Sequence, residues 1–158
     1  MISEQITNLK KFTEMLFISE DFDKFMLREA VFRTSIEVTV DGQLDPAFYD
    51  EEEQKSLASQ PCVLWKTIRP SALNLIKGKK LPLGFKIILL TTPEMTKAME
   101  KKAGYTGAPA TSLSLNITYQ QKNLYVTTGI ALSGFSMDKS LEKYWDDTVM
   151  KFLQSKLE

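Results

Sequence analysis

The sequence predicts a single α+β domain over residues 1–158, a mainly antiparallel sheet of about four strands with helices packed on one face. Three observations lead there. Residues 112–132 alternate apolar and polar side chains in two runs, Leu113, Leu115, Ile117 and Tyr119, then Leu124, Val126, Ile130 and Leu132. Only Gln121-Lys-Asn123 separates the runs, so they read as a hairpin with one apolar and one polar face. The same period of two starts at Ala30, with Phe32, Ile36, Val38 and Val40 on one side and Val31, Arg33, Glu37 and Thr39 on the other. Finally, the order helix, strand, helices, strand, helix, hairpin, helix does not suit a regular βαβ repeat.

Taken in order, Ile6, Leu9, Phe12, Leu16 and Phe17 recur at helical spacing, which predicts a helix near 4–17 capped by Ser3 or Thr7. A capped turn at Ser19–Asp23 returns Phe22, Phe25 and Met26 to the core. The first strand is expected near 29–40, ended by Asp41-Gly42. Asp45-Pro46 opens a short helix, and Asp50 with Glu53 fits a capping box, each satisfying the other's amide. The acids Asp50 to Glu53 point in different directions on a helix and read as a solvated first turn, favoured by the helix dipole.

Pro70 and Gly78 bracket a short helix at Ser71–Lys77 in the proline-first, glycine-last arrangement, with one longer kinked helix as the alternative. Leu83 to Leu90 is a continuous apolar run suited to a central strand near 84–91. Thr92-Pro93 starts the next helix and Gly104 closes it. Residues 104–110 then form a loop in which Tyr105 is a candidate contact. A last helix is expected from about Asp138 to Leu157, burying Leu141, Trp145, Val149, Phe152 and Leu153. The expected core includes Phe12, Phe32, Val38, Trp65, Ile76, Ile87, Leu89, Leu115, Ile117, Val126, Ile130, Trp145 and Phe152.

Charge is segregated along the chain although its formal sum is zero. Residues 1–53 hold 13 acids against 5 bases, whereas Gln54 to Pro93 hold no acid and seven bases. Such a distribution either neutralises itself in space or leaves a basic face beside an acidic one. Arg69, Lys77, Lys79 and Lys80 are the candidate anion-binding residues.

The chain contains no histidine and one cysteine, Cys62. Histidine titrates near neutral pH and is the commonest metal ligand, so Ser-His-Asp and Cys-His nucleophilic sites and histidine metal sites are excluded. A single cysteine excludes intramolecular disulfides and Cys-x-x-Cys pairs. Cys62 lies among apolar neighbours and reads as a small core residue. Asp138, Glu142 and Asp146 fall along one helical edge, but an N-cap and a dipole-favoured first turn explain them better than a hard cation does. No catalytic residue, metal or cofactor is expected. The N-terminus carries no positive stretch followed by an apolar one, and no apolar run approaches ~20 residues, so a cytoplasmic location without a membrane partner is expected.

The segments Trp65-Lys-Thr-Ile-Arg-Pro, Leu75-Ile-Lys-Gly-Lys-Lys-Leu-Pro-Leu-Gly-Phe-Lys and Met137-Asp-Lys-Ser-Leu-Glu-Lys-Tyr-Trp-Asp-Asp resemble an uncharacterised family, a domain of unknown function found in anaerobic Gram-positive gut bacteria. The resemblance runs over most of the chain and implies a bacterial origin. It carries no activity and supplies no site residue.

The leading functional expectation is a non-catalytic binding or protein-interaction module whose partner is another protein or a second copy. A polyanion or nucleic-acid binder using residues 55–86 is the alternative. Nucleic acid is disfavoured, because Trp65 and Phe85 sit at core-patterned positions, and no ribonucleoprotein motif, Gly-x-x-Gly clamp or P-loop is present. An enzyme working without histidine comes last.

Overall fold

The computed structural model describes all 158 residues. It contains strands β1 (Ser3–Ile6), β2 (Met26–Arg33), β3 (Glu37–Asp41), β4 (Gly84–Leu90), β5 (Ala110–Gln120) and β6 (Asn123–Leu132). The helices are α1 (Leu9–Phe17), α2 (Glu51–Gln54), α3 (Trp65–Ile76), α4 (Pro93–Ala103) and α5 (Ser140–Leu157), with a 3-10 turn at Pro46–Phe48. The strands form one sheet in the order β1-β6-β5-β4-β2-β3, and every neighbouring pair is antiparallel.

The α+β class and the antiparallel sheet are as the sequence implied, but there are six strands instead of about four. One extra strand comes from the N-terminus. The helix expected over 4–17 begins at Leu9, because Asn8 caps it by accepting the Lys11 amide at 3.2 Å. Residues 3–6 are thereby released to pair with Leu124 to Thr127 of β6. The other arises because the strand expected over 29–40 folds back on itself at Thr34–Ile36, where the Thr34 amide donates to the Ile36 carbonyl at 2.8 Å. The reversal conserves the period of two, since Phe32 pairs with Val38 and Ala30 with Val40. It also makes β3 an edge strand, and this leaves Val38 half-exposed where full burial was expected.

The helix expected at 71–77 is instead the longer alternative: α3 spans Trp65–Ile76 with Pro70 inside it. The last helix starts two residues later than expected, at Ser140, with Lys139 at the cap position. Asp138 sits just outside and accepts hydrogen bonds from the Ser140 amide (2.9 Å) and the Thr106 amide (3.0 Å).

The core is one cluster of 24 buried residues, lying between the helices and a single face of the sheet. That face carries Phe32, Phe85, Ile87, Leu89, Leu113, Leu115, Ile117, Leu124 and Val126, all buried. Ile76, Ile130 and Phe152, expected to be buried, pack on its margin. Trp65 is fully enclosed, its indole Nε1 donating to the Leu16 carbonyl at 2.8 Å, so the ring's one polar atom is satisfied in the core. The opposite face presents half-buried Ser112, Ser114, Asn116 and Thr118, with exposed Lys86 and Tyr125.

Candidate site: an apolar pocket with a basic rim

An open pocket of about 430 Å³ lies where α1, the C-terminal turn of α3 and the segment after it meet the ends of β4 and β5. That volume is within the range of ligand-binding clefts, ~300–1,000 Å³. Leu9, Thr13 and Phe17 follow one another at i, i+4 and i+8 on α1 and form one wall, while Phe12, Met15 and Leu16 turn into the core. Leu73 and Ile76 of α3 form the second wall. The floor is aromatic: Phe85 stacks on Tyr119 with ring centres 5.3 Å apart, and Phe17 meets Phe85 edge-on, also at 5.3 Å.

The third wall depends on how α3 stops. Lys77 is extended (ψ 147°) and Gly78 has φ 154°, which side-chain-bearing residues rarely adopt. The chain turns away from the helix axis there and runs back as Lys79-Lys-Leu-Pro-Leu83, tied to the sheet where the Leu83 amide donates to the Arg33 carbonyl at 2.8 Å. Leu81 and Pro82 line the pocket, yet Leu81 is 75% exposed and Leu83 64% exposed. Ile18, another lining residue, is exposed as well, so the apolar wall opens directly to solvent.

The rim is predominantly basic. Lys10, Glu14 and Lys77 border the pocket, and Lys79 and Lys80 follow in the same segment. All four lysines are exposed and none takes part in an ion pair within the chain. Arg69, grouped with them on sequence proximity, is already engaged: its Nε and Nη2 donate to the two carboxylate oxygens of Asp23 at 2.8 and 3.0 Å, and Nη1 donates to the Ile18 carbonyl at 3.1 Å. The fold therefore keeps Lys77, Lys79 and Lys80 together and commits Arg69 to internal structure.

The other residues singled out in the sequence have structural partners. Glu142 and Asp146 pair with the Met1 ammonium group, and Glu142 also approaches Lys139. The Thr106 and Ser140 hydrogen bonds hold the Asp138 carboxyl down at about 2. Tyr105 donates its hydroxyl to the Ala108 carbonyl and packs against the core. Cys62 is buried, and burial pushes its thiol up from the ordinary value. No helix is long and apolar enough to cross a membrane.

The basic cluster Lys77, Lys79 and Lys80 is visible in the sequence, whereas the pocket beside it, with walls from residues 9–18, 73–82, 85 and 119, is not. The available signal was Leu81-Pro-Leu83, apolar residues directly after two lysines and before Gly84. Only Leu83 of the three falls within the apolar run Leu83 to Leu90 that predicts the next strand.

The fold and the site define an α+β protein with a basic-rimmed apolar pocket at one end of an antiparallel sheet. By sequence, the chain belongs to a family of unknown function, DUF5721, whose profile matches residues 15–157. No curated protein and no solved structure matches it.

Proposed function

We propose that this protein is a non-catalytic binding module, and that the pocket between α1 and α3 accepts an apolar group carried by a negatively charged protein partner. The observation that carries the reading is the pairing of an apolar, aromatic-floored cavity with a rim of unpaired lysines. Apolar lining supplies affinity through area removed from water, and the few charged groups at the edge select the partner. The lining is mostly apolar and the chain contains no histidine, so the histidine-free enzyme ranks last.

Anilinonaphthalene sulfonate, an aromatic anion, tests the reading because it matches both walls and rim. Fluorescence titration should show one site per chain. Thr13→Phe, which fills the pocket, and Lys77→Glu, which reverses a rim charge, should each weaken it, the former by about tenfold or more, equivalent to ~1.4 kcal/mol. Unchanged affinity in both variants, with unfolding midpoints intact, would refute the assignment.

A second reading rests on Lys77, Lys79 and Lys80 alone: three exposed, unpaired cations could serve a polyanion. It leaves the apolar walls and the exposed Leu81 and Leu83 without a role, and so ranks second.

A further inference from the structure

The chain carries on its own surface a feature of complementary chemistry to the pocket. Phe48 is 85% exposed, a large aromatic ring left in water at the tip of a 3-10 turn. It is flanked in sequence by Asp45, Asp50, Glu51, Glu52 and Glu53, of which Glu52 pairs with Lys55. The projection is pre-ordered. Asp45 caps the 3-10 turn, Asp50 and Glu53 form the reciprocal capping box, and the Gln54 side-chain amide donates to the Pro46 and Tyr49 carbonyls at 2.9 and 3.1 Å, holding the turn against α2. An anchor already held in shape loses little conformational freedom on docking.

The acidic knob and the pocket of its own molecule lie at opposite ends of β3 and are not in contact. The knob leaves the sheet from the Asp41 end of β3, beyond the Gln43–Cys62 bridge. The pocket lies at the opposite end, where Glu37 pairs with Arg33 and Arg33 with Gly84. The four residue steps from Asp41 to Glu37 alone span about 13 Å at ~3.3 Å per residue. The segregated charge of the sequence is thus only partly neutralised within the chain: Arg69 pairs with Asp23 and Lys55 with Glu52, whereas Lys10, Lys77, Lys79 and Lys80 form no ion pair.

We infer that the protein self-associates, the Phe48 knob of one copy seating in the α1–α3 pocket of a second, with Asp50 to Glu53 against Lys10, Lys77, Lys79 and Lys80. The inference rests on the pocket reading and names its occupant. In a twofold dimer each copy gives and receives one knob, so the contact is made twice. Apolar seating supplies affinity, and the charges fix the register and exclude like-charged alternatives.

Sedimentation velocity of the intact chain over a concentration series tests this. A monomer–dimer equilibrium is expected, weakened several-fold when salt is raised from about 0.05 to 0.5 M, as screening of exposed charges requires. Phe48→Ser should weaken association by about tenfold or more, a cost of ~1.4 kcal/mol. The exposed Phe135, outside the proposed contact, is the control, and Phe135→Ser should leave association unchanged. Lys79→Glu with Lys80→Glu should weaken it, and so should Glu51→Lys with Glu52→Lys. All four together in one chain should restore it, because the charges have exchanged places. Monomer at every concentration, loss with Phe135→Ser in place of Phe48→Ser, or failure of the fourfold variant to recover would each overturn the inference. Sulfonate binding by a persistently monomeric chain would refute self-association while sustaining the pocket.

Discussion

Asp23 receives two hydrogen bonds from Arg69, at 2.8 and 3.0 Å, between residues 46 apart in sequence, and both side chains are largely withdrawn from solvent. The same guanidinium donates to the Ile18 carbonyl at the end of α1. Arg69 thus ties the two helices that wall the pocket. Its forked donor geometry matches a carboxylate in a way that lysine's would not.

Breaking this pair should be costly. Asp23→Ala leaves a half-buried guanidinium without its counter-ion and is expected to destabilise the fold by about 2 kcal/mol, between the values for exposed and for buried pairs. Glu52→Ala, which removes the exposed partner of Lys55, should cost no more than about 0.5 kcal/mol. Urea denaturation of the two variants side by side checks the contrast; equal losses would mean that the Arg69 pair is energetically a surface one.

Strand β5 offers a sharper test, since adjacent residues face opposite environments. Ile117 is fully buried opposite Val126, while Thr118 lies opposite Tyr125 on the uncovered face. Ile117→Asp puts an unpaired carboxylate into the core and should cost about 4 kcal/mol or more. Thr118→Asp should stay within about 0.5 kcal/mol of wild type. Comparable midpoints for the two in denaturant would place the buried face on the wrong side.

Asp138 sets a pH signature. Its carboxyl is depressed to about 2 by hydrogen bonds from Thr106 and Ser140, below the ~3.9 of an unfolded aspartate. A depressed carboxyl binds protons more weakly when folded. Its contribution to stability is therefore complete above the unfolded value and is lost as pH falls from about 4 through 2. The stability gap between wild type and Asp138→Asn should be constant above about pH 5 and close towards pH 2. A gap that persists unchanged at pH 2 would contradict the assignment.

Cys62 should be slow to react. It is buried, burial raises its thiol above the ordinary value, and the reactive species is the thiolate. Labelling of the native protein with an aromatic disulfide at pH 8 should be far slower than that of a cysteine peptide, and unfolding should abolish the difference. Native labelling at the peptide's rate would expose the thiol and reopen a redox role.

Much of the fold is legible in the sequence because its signals are local. The hairpin of β5 and β6, the capping box at Asp50 and the left-handed Gly104 closing α4 each depend on residues close together in the chain. The two extra strands were not legible in that way. Ile6 fits helical spacing with Leu9 as well as it fits a strand pairing with Leu124, and only the distant β6 decides between them. Phe32 and Val38 keep the same alternation whether the chain runs straight or turns back, so period alone cannot locate the reversal at Thr34–Ile36. Similarly, Arg69 stands beside Lys77 in sequence, but its partner Asp23 is revealed only when α3 packs against the end of α1. The pocket, assembled from four separate segments, had no local signal beyond Leu81-Pro-Leu83.

The proposal places binding in the pocket between α1 and α3 and not on the uncovered sheet face. Backbone amide chemical-shift mapping by NMR, during titration with anilinonaphthalene sulfonate, tests it most directly. The largest shifts are expected at Leu9, Thr13, Leu73, Lys77 and Leu81, with Lys86, Asn116 and Tyr125 unmoved. Shifts concentrated instead at Lys86, Asn116 and Tyr125 would contradict it and move the site to the opposite face of the sheet.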